Sequence, residues 1–593
     1  MRAFGRFTLW LFAIFGGLFA VLLLAVTAFT LSVRQDDPTL PENAVLSLDL
    51  TVAPLEKPGD PPFFDTDPAP SLREMVEAIE RARDDAGIKA LVASVGGAGL
   101  GVAEAQELAE AIRHFRESGK PAIAFAEDLG ALGDQMPDVA VATAFDDLWL
   151  QPSGGVGFSG IAIESPFFAE ALADLDIEAE VGQRHEYKGG IDPLIRRDFS
   201  PPVEASLRRV VDGWVRQLSG IVALNRGLDP AGVRGLVDAG PFLAAEARDV
   251  GLVDRLGYRD EMLAAVDAAV GGQARHVHPG QYLAVARADV EGTAEKSVAL
   301  IYGVGPITPE EGSGNPLFGP RGFAPHAVAQ ALADAREDAG IAAVLFRVES
   351  PGGAYGPSDM VRREVRRLVE AGKPVIVSMG DVAGSGGYMV SLDASRIVAS
   401  PGTLTGSIGV YSGKLATREL WNRLGVEWDS IAAGENAGMW SFVDRFDAGE
   451  RARFDAMLDS VYDGFTGHVA RARGLDDAGI DRAARGRVWL GEDAVDVGLV
   501  DALGGFSQAV AEVRGALDLP ADAPLDLRLM PEPKSPWERA VEWVDGGGGF
   551  DDLVATAGAR ILGREVEAVT GDLAPFRALA AGPLAMPPIR VAR

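Results

Sequence analysis

Ser385 stands in Asp381-Val-Ala-Gly-Ser-Gly-Gly387, and Ser350-Pro-Gly-Gly353 closes the apolar run before it. A serine flanked by glycines can sit on a tight turn with its hydroxyl presented. The backbone N–H groups of Gly386 and of Gly352 or Gly353 are then placed to hold a developing oxyanion. On these residues alone the plainer reading, that Gly-Ser-Gly-Gly is a turn and nothing more, stays open. A serine nucleophile also needs a base. The six histidines are His114, His185, His276, His278, His326 and His468, and none lies in a glycine-rich or strand-end context. They read as surface or packing residues, with His468 kept as the candidate for a His-based triad. The chain has no cysteine, so a thiol nucleophile, a thiolate metal site and a disulfide are all excluded. The chemistry in view calls for no cofactor and no metal.

Among 55 basic residues the lysines are only Lys57, Lys89, Lys120, Lys188, Lys296, Lys373, Lys414 and Lys534, so arginine is the default cation of this chain. A lysine can give up its proton where an arginine cannot, which makes each retained lysine a candidate base once geometry supports it.

An internal duplication supplies that geometry. Arg83-Asp-Asp-Ala-Gly-Ile88 recurs as Arg336-Glu-Asp-Ala-Gly-Ile341, and Gly119-Lys-Pro121 as Gly372-Lys-Pro374, both at an offset of 253. Pro152, Gly157, Gly160, Leu175 and Glu178 match Pro401, Gly406, Gly409, Leu424 and Glu427 at 249. Arg226-Gly-Leu-Asp229 and Val250-Gly-Leu-Val-Asp254 recur at 247 as Arg473-Gly-Leu-Asp476 and Val497-Gly-Leu-Val-Asp501. Order and spacing of this kind mark two copies of one unit. At these offsets Lys188, in Arg184-His-Glu-Tyr-Lys-Gly-Gly190, faces Ala437, while Ser385 faces Leu132 and Pro351-Gly-Gly353 faces Ala98-Gly-Leu100. One copy has kept a lysine and the other a serine with its glycine loop. Such complementary loss is what a Ser/Lys site leaves when two fused copies share it. Closing the copies around Lys188 would bury its amine, lower its pKa from about 10.4 and leave a neutral base for Ser385.

Val348-Glu-Ser-Pro-Gly-Gly353, Gly384-Ser-Gly-Gly-Tyr388, Thr403-Leu-Thr-Gly-Ser-Ile-Gly409 and Tyr187-Lys188 resemble the signal peptide peptidase A family in its long, duplicated (67K-type) form, over roughly residues 44 to 520. The resemblance implies a serine endopeptidase with Ser385 as nucleophile and Lys188 as base. It also implies a crotonase or Clp-protease-like fold in each copy, a homotetramer, and remnant signal peptides and other hydrophobic peptides as substrates. Two positions depart from the family pattern. Glu349 stands where asparagine is usual before Ser-Pro-Gly-Gly, and Lys188-Gly-Gly-Ile-Asp192-Pro replaces Lys-Ser-Ala-x-Glu-Pro. Without the serine that usually follows the lysine, Ser407 or Thr405 is expected to hold Lys188. Two other readings stay open: an acyl-CoA hydratase or hydrolase on the same fold, and an inactive membrane scaffold should Lys188 and Ser385 lie far apart.

The elements that must position these groups alternate between strand and helix. Ala44–Leu50, Ser297–Tyr302, Ala342–Val348 and Val375–Ser378 read as buried strands and Ser358–Gly372 as a helix, which predicts α/β copies with parallel strands. The Pro/Gly-rich stretch Pro306–Pro325 reads as a loop over the site. The peptide is expected to lie extended near Gly352, in a groove lined by residues such as those around Ala354 and Val390. Phe7–Val33 is an uncharged apolar stretch of 27 residues, long enough to span a bilayer as an uncleaved anchor. Arg2 and Arg6 before it place the N-terminus in the cytoplasm and the body in the periplasm, as a single-pass protein of the inner membrane. The expected organisation is a cytoplasmic N-terminus at 1–6, the anchor at 7–33, a lysine-bearing domain at 44–285, a serine-bearing domain at 286–520 and a tail at 521–593. A formal net charge of −31 repels phosphate backbones and argues against a nucleic-acid partner.

Overall fold

In the computed structural model the described residues are 39–58, 70–130, 133, 135–288, 296–309 and 322–532, with 538, 584–585 and 590–591. The apolar stretch 7–33, and most of the loop expected at 306–325, fall outside them. No helix among the described residues is long and apolar enough to cross a membrane.

The first copy is built on a six-stranded parallel sheet in the order Arg275–Val277, Ala44–Leu50, Ile88–Val95, Ala122–Ala126, Asp147–Leu150, Arg255–Leu256. The second repeats it: Leu525–Leu529, Lys296–Val304, Ile341–Ser350 and Val375–Gly384 run parallel, followed by Arg396–Ala399 and Ala502–Leu503. Both faces of these sheets are covered, so the strands read as nearly unbroken apolar runs, and Val375–Gly380 is buried at every position. The counterpart helices Pro201–Arg226 and Ala448–Arg473 are each 26 residues long. They stop at Gly227 and Gly474, whose positive φ of 62° and 64° a side chain would resist. The duplication also explains two of the eight lysines. Lys120 donates to the carbonyls of Ala82 and Asp85, and Lys373 to those of Ala335 and Asp338, so they tie down the C-terminal ends of helices Leu72–Asp84 and Pro325–Glu337.

Two expected boundaries move. The strand read as Val375–Ser378 runs on to Gly384, because the glycines that look like a loop form an irregularity inside the strand: Val348 pairs with Met379, but Ser350 pairs with Ala383. The helix read from Ser358 starts at Tyr355, since Pro357 is tolerated in a first turn.

The copies are sewn together by an antiparallel ladder from one to the other, in which Glu178–Gln183 of the first pairs with Tyr411–Ala416 of the second. The chain leaves this ladder heading directly into the Lys188 segment.

Candidate active site

Strand Val375–Gly384 ends where helix Gly386–Ser391 begins, and Ser385 is the single residue between them. Its φ of 55° and ψ of −113° are unfavourable for a residue with a Cβ, a cost that a tightly held turn has to carry. The turn is held by the Ser385 amide donating to the Gly406 carbonyl at 2.8 Å and by Met389 N–H donating to the Ser385 carbonyl at 2.9 Å.

Lys188 reaches the same point from the first copy. After the ladder, Arg184 N–H donates to the Val410 carbonyl, and Tyr187 N–H to that of Arg485. Glu186 pairs with Arg485 at 2.9 Å, and the Arg487 guanidinium lies 4.1 Å from the centre of the Tyr187 ring. Residues 485–487 of the second copy thus grip the lysine segment of the first on both sides.

The Lys188 amine lies 2.9 Å from the Ser385 hydroxyl oxygen, 2.7 Å from the Ser407 carbonyl oxygen and 3.0 Å from the Ser407 hydroxyl oxygen. Both Lys188 and Ser385 have no solvent exposure. Burial pushes the lysine well below its ordinary value, and no neighbouring carboxylate offsets that effect. A neutral amine has two N–H groups and one lone pair. The two N–H groups match the two Ser407 oxygens, which leaves the lone pair facing the Ser385 hydroxyl.

Of the two residues expected to hold Lys188, Ser407 does so. Thr405 does not: its hydroxyl donates to the Ala383 carbonyl at 2.8 Å, because Thr405 belongs to strand Leu404–Gly406, which pairs with the serine strand. His468 meets Asp359 at 3.5 Å and Arg471 at 2.7 Å on helix Ala448–Arg473. Val390, expected along the groove, packs instead in the core beneath the serine helix.

Gly386 opens a helix, so its amide is one of the first-turn N–H groups that lack an intrahelical acceptor. Gly353 lies against it, and a Cβ added to Gly386 would sit 3.1 Å from the Gly353 nitrogen. Gly352 and Gly353 both need glycine, with φ of 96° and 153°. The Gly352 amide donates to the Ser350 hydroxyl at 3.2 Å, which itself donates to the Gly305 carbonyl. Leu584–Ala585 of the same chain runs antiparallel against Gly353 and Gly352, so this edge carries an extended strand.

Sequence reasoning missed three features. Gly486 gives the Lys188 backbone its place, the Ser407 carbonyl is a partner of the amine, and Glu349 fills the irregularity in the serine strand. The departure at Glu349 was visible as a residue type, but nothing in the sequence showed where its carboxyl points. Among the described residues no group of His, Cys, Asp or Glu is arranged to hold a metal ion.

Peptidase family S49 matches residues 114–272 and 367–519, one stretch in each copy. The chain is 32% identical over 457 residues to Protease 4 of Salmonella typhi, covering 74% of this chain and 71% of that protein. It is 30% identical over 458 residues to Protease 4 of Haemophilus influenzae, covering 74% and 72%. It is 26% identical over 476 residues to the chloroplastic serine protease SPPA of Arabidopsis thaliana, covering 78% and 68%. The chain therefore belongs to peptidase family S49, as a serine peptidase of the long, duplicated signal peptide peptidase A form.

Proposed function

We propose that the protein is a membrane-anchored endopeptidase that degrades cleaved signal peptides and other unfolded hydrophobic peptides, with Ser385 as nucleophile and Lys188 as general base. The observation that carries this reading is the 2.9 Å approach of a buried amine to a serine hydroxyl. The Ser385 hydroxyl donates its proton to neutral Lys188 as its oxygen attacks the peptide carbonyl carbon. The oxyanion that forms is held by the amides of Gly386 and Gly353, with Gly352 shaping the edge. The Lys188 ammonium returns the proton to the leaving nitrogen and the C–N bond breaks, leaving an acyl group on Ser385. Water then gives a proton to Lys188 and attacks the ester carbon, the bond from that carbon to the Ser385 oxygen breaks, and the Lys188 ammonium returns the proton to that oxygen, releasing the carboxylic acid and the neutral dyad.

The pairing of Leu584–Ala585 with Gly352–Gly353 supports a substrate that binds as an added antiparallel strand. A folded protein cannot offer such a strand, so unfolded peptides are the substrates. The anchor at 7–33 and a body in the periplasm would hold the site beside the bilayer, where apolar signal-peptide fragments accumulate. Each copy is read as a crotonase or Clp-protease-like domain, with boundaries at 44–285 and 286–520.

The duplication supports a homotetramer. In the first copy, Glu178–Gln183 is covered by a strand of the second. Its counterpart after Val426 has no such cover among the described residues, and exposes Val426, Trp428 and fully Ile431. The equivalent of the covering strand in the first copy is Ile163–Glu164, which among the described residues pairs with Arg590–Val591. A second copy of the chain, docking head to tail, would supply the missing cover.

The substrate assignment is tested by offering the full-length enzyme a signal-peptide-like peptide and a charged peptide of equal length. Faster cleavage of the apolar peptide is expected. Equal or reversed rates would overturn the substrate class.

A further inference from the structure

The serine strand and the strand before it part company just ahead of the active site. Between the pairs Val348 with Met379 and Ser350 with Ala383, Glu349 alone stands opposite Gly380, Asp381 and Val382. The Glu349 carboxyl enters that gap and accepts the Val382 N–H at 3.1 Å. Gly380 leaves it room, since a Cβ there would fall 2.2 Å from the Glu349 oxygen. Glu349 is one residue before Ser350, whose hydroxyl takes the Gly352 amide, and Val382 is three before Ser385. One side chain therefore ties the strand that leads into Gly352 and Gly353 to the strand that leads into Ser385. In the first copy, which has Leu132 at the position of Ser385, the ladder repeats with Ser94 opposite Phe125, but the positions of Glu349 and Gly380 hold Gly96 and Glu127, and Glu127 is exposed. The inserted carboxyl belongs to the serine-bearing copy alone.

We propose that Glu349 is a positioning residue that sets the distance between Ser385 and the oxyanion glycines, and that it does so as a neutral carboxylic acid. This inference rests on the Ser385/Lys188 reading and adds a pH limit to it.

The surroundings favour the neutral form. On the serine strand Asp381 faces Glu349 and accepts the Ala103 N–H at 2.7 Å, from a helix of the first copy. Glu56 reaches in from the segment after Ala44–Leu50, and Glu104 and Glu107 from helix Val102–Arg116. Against these carboxylates stands Arg347, which pairs with Glu56 at 2.5 Å and with Glu107 at 2.8 Å and is largely used by them. Burial, with Asp381 and Glu56 as like charges, holds Glu349 well above the usual carboxylate range. Burial also takes Asp381 up to about 6, and burial together with Asp381 takes Glu104 to about 8. Carboxyls raised in this way keep their protons in the folded state at pH values where the unfolded chain has lost them. The arrangement is therefore secure at low pH and is lost as pH rises through the folded values.

The test is the pH profile of kcat for the wild type, E349A and E349Q, each checked for folding by circular dichroism. Glutamine keeps an oxygen acceptor for Val382 N–H and cannot ionise. In the wild type, kcat should rise as Lys188 loses its proton and fall again at alkaline pH. E349A should lose kcat about tenfold or more with little change in KM, as expected when catalytic groups are misplaced. E349Q should restore it and carry the plateau further into the alkaline range. An alkaline fall in E349Q identical to that of the wild type would overturn the proposal, as would wild-type kcat in E349A or a folded but inactive E349Q. Loss of activity in S385A bears only on the dyad reading, so the two failures are distinguishable.

Discussion

The backbone of Lys188 lies directly on Gly486 of the other copy: a Cβ added to that glycine would fall 2.5 Å from the Lys188 nitrogen and 2.6 Å from its Cβ. Real Cβ atoms do not approach so closely, so the base is in place only because residue 486 has no side chain. Gly486 also has a φ of 84°, and its amide donates to the Ile408 carbonyl at 2.7 Å. The position of the base is thus a property of the contact between the copies.

Gly486→Ala should push Lys188 away from Ser385. A displacement on the order of 1 Å is enough to lower kcat about 100-fold. KM should change little, because the edge proposed for the substrate, at Gly352–Gly353, is on a different strand. Steady-state kinetics on an apolar peptide decide this, and wild-type kcat in a folded G486A protein would contradict it.

Lys188 bears on stability as well as on activity. Its pKa is lowered by burial in the folded state, so the folded chain binds fewer protons than the unfolded chain between that lowered value and about 10.5. Stability from this group is complete above its unfolded pKa and is lost as pH falls toward the folded one. Lys188→Met removes the titration. The Tm of K188M minus that of the wild type should therefore be more positive at pH 6 than at pH 9.5, by a few degrees. Scanning calorimetry at the two values tests the sign, and a constant difference would contradict a buried, neutral amine.

The segment Leu584–Ala585 occupies the edge on which a peptide is proposed to lie. Removing residues 584–593 should lower KM for a short apolar peptide several-fold and leave kcat unchanged. An unchanged KM would show that the segment does not compete with substrate.

Much of the fold and the chemical core of the site were legible from residue types. The strands are apolar because both sheet faces are covered, and the repeat offsets led to a lysine in one copy and a serine in the other. What stayed hidden depends on backbone position rather than residue type. The Ser407 carbonyl looks like any other carbonyl in sequence, and it is placed by the Ser407 N–H donating to the Arg487 carbonyl at 2.7 Å. Gly380 and Gly384 read as loop residues, because nothing in a sequence shows that a strand changes neighbours at an irregularity. Val390 is aliphatic and close to Ser385 in sequence, but helix Gly386–Ser391 turns it into the core. The Thr405 hydroxyl was close enough in sequence to Ser407 to compete for Lys188, and pairing with the serine strand turned it toward Ala383.

The central claim is that a neutral lysine from one copy deprotonates the serine of the other, and the most direct measurement compares peptide hydrolysis by folded S385A, K188A and K188R. Arginine keeps the positive charge and hydrogen-bonding capacity but does not lose its proton. All three variants should fall to background, at least about 10⁴-fold below wild type, while H468A keeps its activity. Appreciable turnover by K188R, or an inactive H468A beside an active K188A, would contradict the Ser385/Lys188 dyad.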